Sequence, residues 1–201
     1  MMIIHCETVP VFAPQYGQMS WVIEVSRIAR EKNAFVHMHA SENRSEMEKV
    51  GLTGPKLILA HCIWLDEAEK EILIQSKTRI SHCPSSNLKL ASGIAPIPEM
   101  MKRGAEISLG ADGAPCNNNL DGFREMRHAA LIQKPLHGPT VMPAQRVFEL
   151  ATLGGARAIG HEQDLGSLEV GKKADLAVVS PRLKASSTQS LNRVMERVGL
   201  V

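Results

Sequence analysis

Short apolar runs alternate with helix-like stretches along this chain, and four of the runs end on a histidine or an aspartate. VPVFA (9–13) precedes WVIEVSRIAREK (21–32), AFVHMHA (34–40) precedes SEMEKV, and LILAH (57–61) precedes DEAEKEILIQS (66–76). TRISH (78–82) leads through an irregular loop into PIPEMMKRG (96–104), and EISLGAD (106–112) leads into LDGFREMRHAALI (120–132). Strands and helices alternating at this spacing predict βαβ units on a parallel sheet, hence an α/β fold. Five such units with apolar strands predict a (β/α) barrel or part of one. Further helix is expected over 143–153 and 154–159, with a break at Gly154-Gly155. Residues 166–179 (GSLEVGKKADLAVV) read as a turn between short strands, and 191–198 as a solvated amphipathic helix.

The strand ends carry the chemistry. FVHM runs into His39, LILA into His61, TRIS into His82 and ISLGA into Asp112, at intervals of 22, 21 and 30 residues. Each interval is about one βα unit, and in parallel barrels catalytic side chains gather at the carboxyl ends of the strands. A single such histidine is ordinarily a core or rim residue; four polar ends in succession point to a shared pocket. Imidazole nitrogens with a carboxylate suit Zn²⁺ or Fe²⁺. His37 and His39 lie on one side of their strand, and His39 is nearer its end, so His39 is the expected ligand and His37 a pocket or structural residue. Glu42 follows where the chain leaves the strand, in position to shuttle protons beside a metal.

Composition narrows the partners. The 201 residues are 44% hydrophobic and 22% charged, an ordinary globular balance for one domain or one with a small appendage. A net charge of +2 with 3% aromatic residues gives no basic, ring-lined face for nucleic acid. The opening MMIIHCETVPVF is neither a signal peptide nor a membrane span. Cys6, Cys62, Cys83 and Cys116 form no C-x-x-C pair and read as reduced, buried thiols, so a cytoplasmic location is expected. A dinucleotide site is excluded, because no G-x-G-x-x-G follows any strand.

HMHASE (37–42), LAHCIWLD (59–66), SHCPSSNLKLASGIAP (81–96), LGADGAPCNNNLDGFREMRHAAL (109–131) and GSLEVGKKADLAVV (166–179) together resemble the amidohydrolase superfamily. The similar branch holds the aminohydrolases and chlorohydrolases of purines, pterins and triazines. The likeness covers roughly residues 9–180, and its SNLKL and LGADGA blocks are its most specific parts. It implies a partial (β/α)8 TIM-type barrel, about strands 4 to 8, over residues 1–162. A remnant of a small β-sandwich over 163–181 and a tail over 182–201 would follow.

The same resemblance implies the roles. His39 matches the fifth-strand metal ligand, and His61 the sixth-strand histidine beside the metal. Asp112 matches the eighth-strand aspartate that binds metal and takes a proton from the attacking water. Glu42 matches the glutamate that protonates the ring nitrogen. His82, Asn87 and Lys89 fall in the seventh-strand block that shapes the substrate side, and Gln15 stands where relatives carry a substrate-contacting His or Arg. One divalent metal is implied, zinc first and iron second, acting on C–N or C–Cl bonds of a small N-heterocyclic substrate. No lysine in VPVFA disfavours the carboxylated-lysine branch. The family's first-strand H-x-H pair is not in the sequence, and a complete barrel takes about 250 residues. The expectation is therefore the later half to two-thirds of an enzyme, binding metal weakly and turning over little by itself. The competing reading is a non-catalytic fragment. Homo-oligomerisation would cover the open sheet edges such a piece exposes.

Overall fold

The computed structural model describes residues 3–6, 18–40 and 53–179. In chain order its elements are β1 (Ile3–Cys6), α1 (Gln18–Glu31), β2 (Phe35–Ala40), β3 (Leu57–His61), α2 (Glu67–Gln75), β4 (Arg79–His82), α3 (Pro84–Lys89) and α4 (Ile97–Lys102). These are followed by β5 (Glu106–Leu109), α5 (Ala114–Asn117), α6 (Gly122–Leu131), α7 (Lys134–His137), α8 (Ala144–Ala151) and α9 (Leu153–Ala158).

Helices α2 and α6 start at side-chain caps. At α2, Asp66 accepts the Glu69 N–H at 2.8 Å, and the Glu69 carboxylate accepts the Asp66 N–H at 2.8 Å. This reciprocal cap satisfies two donors that a bare helix end leaves open. Asp121 does half of the same at α6, accepting from Phe123 N and Arg124 N. Each cap contributes about 1 kcal/mol.

Among the described residues all five strands are parallel, and their order in the sheet, β1-β2-β3-β4-β5, is their order in the chain. The register aligns Met38, Leu59, Ile80 and Ile107 on one face. That face packs on Ala29 of α1, Leu73 of α2, Met100 of α4, Met126 of α6 and Val147 of α8 as one buried core. The other face carries His39, Ala60, Ser81 and Ser108 in register, with His37, Ile58, Arg79 and Glu106 one step behind. One face is thus apolar and helix-covered, and the other is mostly small or polar.

Several expectations change. Helix α9 runs through Gly154 and Gly155; the break falls at Thr152 (φ −118°, ψ −88°). A Cβ on Gly154 would stand 2.8 Å from the Ile107 carbonyl oxygen, so this glycine lets α9 press against β5. The turn expected within 166–179 is present, but no strand flanks it among the described residues. Leu168, Val170 and Val178 stand exposed there, and an apolar run without a neighbouring strand has no ladder to join. Strand β1 and the short helices α3, α5 and α7 are additions to the expected elements. VPVFA, SEMEKV and 191–198 lie outside the described residues. Among the described residues, no helix is long and apolar enough to cross a membrane.

Candidate metal centre

His39 Nε2 lies 3.7 Å from Asp112 Oδ1, and His61 Nε2 lies 3.9 Å from Asp112 Oδ2. One ligand atom from each residue falls within 4.8 Å of the others. Three strands bring them together: His39 from β2, His61 from the last position of β3, and Asp112 just beyond β5. Atoms that each sit ~2 Å from a shared ion are themselves ~3–4 Å apart, so the spacing suits a small divalent cation.

The backbone aims two of these side chains. Strict alternation would send His61 to the helix-facing side with Leu57 and Leu59. Instead His61 (φ +70°) and Cys62 (φ +48°) are left-handed, and the His61 ring stacks on His39, centroids 5.1 Å apart and planes 20° off parallel. Asp112 is also left-handed, at φ +63°. Non-glycine residues rarely hold this conformation, and it collects at functional sites.

Neighbouring groups fix the chemistry of each atom. The Asn87 Oδ1 atom, an acceptor, lies 2.8 Å from His61 Nδ1, so that nitrogen carries the ring proton. His61 Nε2 is left with a lone pair, and it is buried with no hydrogen-bond partner among the described residues. A buried, unpaired imidazole nitrogen facing a carboxylate is what a metal ligand looks like without its ion, so the residues fit a divalent cation. Asp112 Oδ2 accepts from Ser86 Oγ at 2.5 Å and Oδ1 from Gly113 N at 2.7 Å. Burial alone would raise the Asp112 carboxyl, but those two donors, with His61 and His39 beside it, hold it below the ordinary carboxylate value.

The other expected residues divide. His37 shares the face of His39, with ring centroids 6.3 Å apart, and is outside the three-residue cluster. Asn87 and His82, expected on the substrate side, are each 1% exposed. Asn87 holds His61 from behind. His82 has neither ring nitrogen partnered among the described residues, and burial, with His61 nearby, pushes its imidazole down to about 3. Lys89 is a strut, donating to the Pro115 carbonyl and, at 2.7 Å, to Asn118 Oδ1. Glu42 and Gln15 lie outside the described residues. Burial pushes the Cys83 thiol up to about 12 and raises Cys62 as well, which makes both poor ligands and nucleophiles.

Ser86, Glu125 and Asn117 went unread in the sequence. Ser86 holds Asp112. Glu125, 1% exposed, accepts from Ser85 N at 3.2 Å and from Asn117 Nδ2 at 2.7 Å. The available signal was Glu125 itself, a carboxylate at a buried position of α6 beside Met126, Ala129 and Ala130.

A sequence model of the amidohydrolase family matches residues 7–199. The chain belongs to the amidohydrolase family. It is 42% identical over 186 residues to a 5-methylthioadenosine/S-adenosylhomocysteine deaminase of Moorella thermoacetica, covering 85% of this chain and 44% of that protein. It is 41% identical over 175 residues to a 5'-deoxyadenosine deaminase of Methanothermobacter thermautotrophicus, covering 79% and 40%. Its fold superimposes on an adenosine deaminase from Xanthomonas campestris with bound zinc at TM-score 0.76, with 33% identity over 86% of this chain and 42% of that one. The amidohydrolase chain thus spans about two fifths of the length of these relatives.

Proposed function

We propose that this amidohydrolase chain carries the metal-holding site of a hydrolase that deaminates an aminated purine ring, as found in adenine nucleosides. The observation that carries the reading is the convergence of one ligand atom each from His39, His61 and Asp112 within 4.8 Å at the carboxyl ends of parallel strands. Those three side chains would hold one divalent cation, zinc first and iron second. A cation there supplies Lewis-acid chemistry, lowering the pKa of water toward ~7. Asp112 takes the proton of the attacking water, and its depressed basicity suits a group that must stay ionised at neutral pH. His61, its Nδ1 proton engaged by Asn87, keeps a fixed ring orientation beside the reacting atoms. Glu42 is the proposed proton carrier to the ring nitrogen. In the net reaction a C–O bond forms and the C–N bond breaks; one proton of water leaves in ammonia and the other ends on the ring nitrogen of the product.

Deamination is favoured over dechlorination because the relatives 41% and 42% identical are deaminases by name. The same reading takes the five strands as part of a (β/α)8 barrel, with 163–181 as a β-sandwich segment. Supporting it is the winding: strand order equals chain order without reversal, and one sheet face is left for a barrel interior. The test is to load the purified protein with zinc, add 5'-deoxyadenosine or 5-methylthioadenosine, and follow ammonia release. Zinc binding with multiple turnovers supports the reading; zinc binding without ammonia from any aminopurine favours the non-catalytic fragment.

A further inference from the structure

We infer that Glu125 is a positioning residue that clamps together the two site-bearing segments after β4 and β5 and thereby sets how tightly the cluster holds its cation. The inference rests on the metal-site reading above.

Glu125 sits on α6, in neither segment, yet its two carboxylate oxygens reach one each. Oε2 accepts the backbone N–H of Ser85, in the segment after β4. Oε1 accepts from Asn117 Nδ2, in the segment after β5, and the same Nδ2 donates to the Ala111 carbonyl at 2.6 Å, one residue before Asp112. The Asn117 Oδ1 atom accepts from the N–H groups of Asn119 and Leu120, both at 3.2 Å, fixing the far side of that segment. The residues after Ser85 then act directly: Ser86 Oγ donates to Asp112 Oδ2, and Asn87 Oδ1 accepts from His61 Nδ1. One turn along α6, His128 Nδ1 lies 2.7 Å from Ser85 Oγ and ties the same residue a second time.

Two facts make this more than packing. Burying a carboxylate is costly unless its acceptors are filled, and here both are filled by the two segments and neither by its own helix. Asp112 keeps a left-handed backbone that persists only where surroundings over-determine it, and the Asn117 bridge to Ala111 is such a restraint. A glutamine at 125 would turn an NH₂ group toward one of two donors and release that segment.

The experiment is a zinc titration of the full chain, wild type against Glu125→Gln, with circular dichroism and thermal midpoint recorded on each. Zinc should bind at least about tenfold more weakly to the variant, the range typical for outer partners of metal ligands. In a double-mutant cycle with Ser86→Ala, the double variant should be little weaker than the worse single one, because both act through Asp112. A folded Glu125→Gln that binds zinc within twofold of wild type overturns the inference, whatever its thermal midpoint. Effects of the two substitutions that simply multiply also overturn it. If Glu125→Gln does not fold, Asn117→Ala is read by the same criterion, since it cuts the Ala111 link and leaves Glu125 on Ser85. A wild-type chain that binds no zinc sinks the metal reading and this inference together, whereas equal binding by both chains sinks the inference alone.

Discussion

The two ends of the same strands follow opposite rules. At the amino ends, Arg79 is engaged three ways: Nε donates to Glu106 at 3.2 Å, a terminal nitrogen donates to the Ala158 carbonyl at 3.3 Å, and the guanidinium lies 5.3 Å from the Phe35 ring centroid. At the carboxyl ends, His61 Nε2 and both nitrogens of His82 are buried without partners among the described residues, and His61, Cys62 and Asp112 are left-handed. One end spends its polar groups on each other; the other keeps them available. Strain and unsatisfied buried atoms thus gather at the end where the metal site is proposed, and satisfied ion pairs at the other.

Substitutions at the two ends should separate these roles. The largest effect is expected from Asp112→Asn, which should abolish the proposed deamination while leaving the circular dichroism unchanged. An amide is a poorer ligand and cannot take a proton. Retention of more than about a tenth of the wild-type rate, a barrier change under ~1.4 kcal/mol, would contradict the role given to Asp112.

His82 makes the carboxyl end acid-sensitive. Its folded value of about 3 lies below the ordinary 6.5, so between those two values the unfolded chain binds the extra proton. The stability from keeping His82 neutral is complete above pH 6.5 and falls on acidification by up to about 1.4 kcal/mol per pH unit. Urea unfolding of wild type and His82→Asn at pH 6.5 and 4.5 checks this. The wild-type advantage should shrink by about 2 kcal/mol at the lower pH, and a pH-independent difference would contradict it.

At the amino end, Arg79→Met should cost about 1–2 kcal/mol of stability by removing the ion pair and the ring contact. Zinc affinity should stay within twofold. A loss of zinc binding in this variant would show that the two ends are not separable. The smallest effect is kinetic: at pH 8 an alkylating reagent should modify Cys116 and leave Cys62 and Cys83 untouched in the folded chain, read by peptide mass mapping. Both protected thiols are buried and held protonated.

The sequence made one of these ends legible. LILAH matches β3 residue for residue, and DEAEKEILIQS matches α2 with its Asp66 cap and Ser76 end, because period, cap and apolar run agreed there. His39, His61 and Asp112 were readable because each ends or follows an apolar strand. The turn that swings His61 off its own face was not, since a left-handed residue at a non-glycine position leaves no local signature. Asn87 was read as a pocket residue and proves to sit behind His61, because the irregular loop hides helix α3, which points it inward. Gly154-Gly155 read as a helix break by propensity, yet tertiary contact with β5 keeps α9 intact through both glycines. The two partners of Glu125 come from different segments, after β4 and after β5, and only the tertiary fold brings them together.

The most direct test of the central claim is a calorimetric zinc titration of the wild-type chain beside His39→Ala, His61→Ala and Asp112→Asn, each checked for fold by circular dichroism. Wild-type binding should be weak and saturate at one zinc per chain, and every variant should bind at least about tenfold more weakly still, the loss expected when one of three ligands goes. Folded variants that bind zinc as tightly as wild type would place the metal elsewhere and contradict the account.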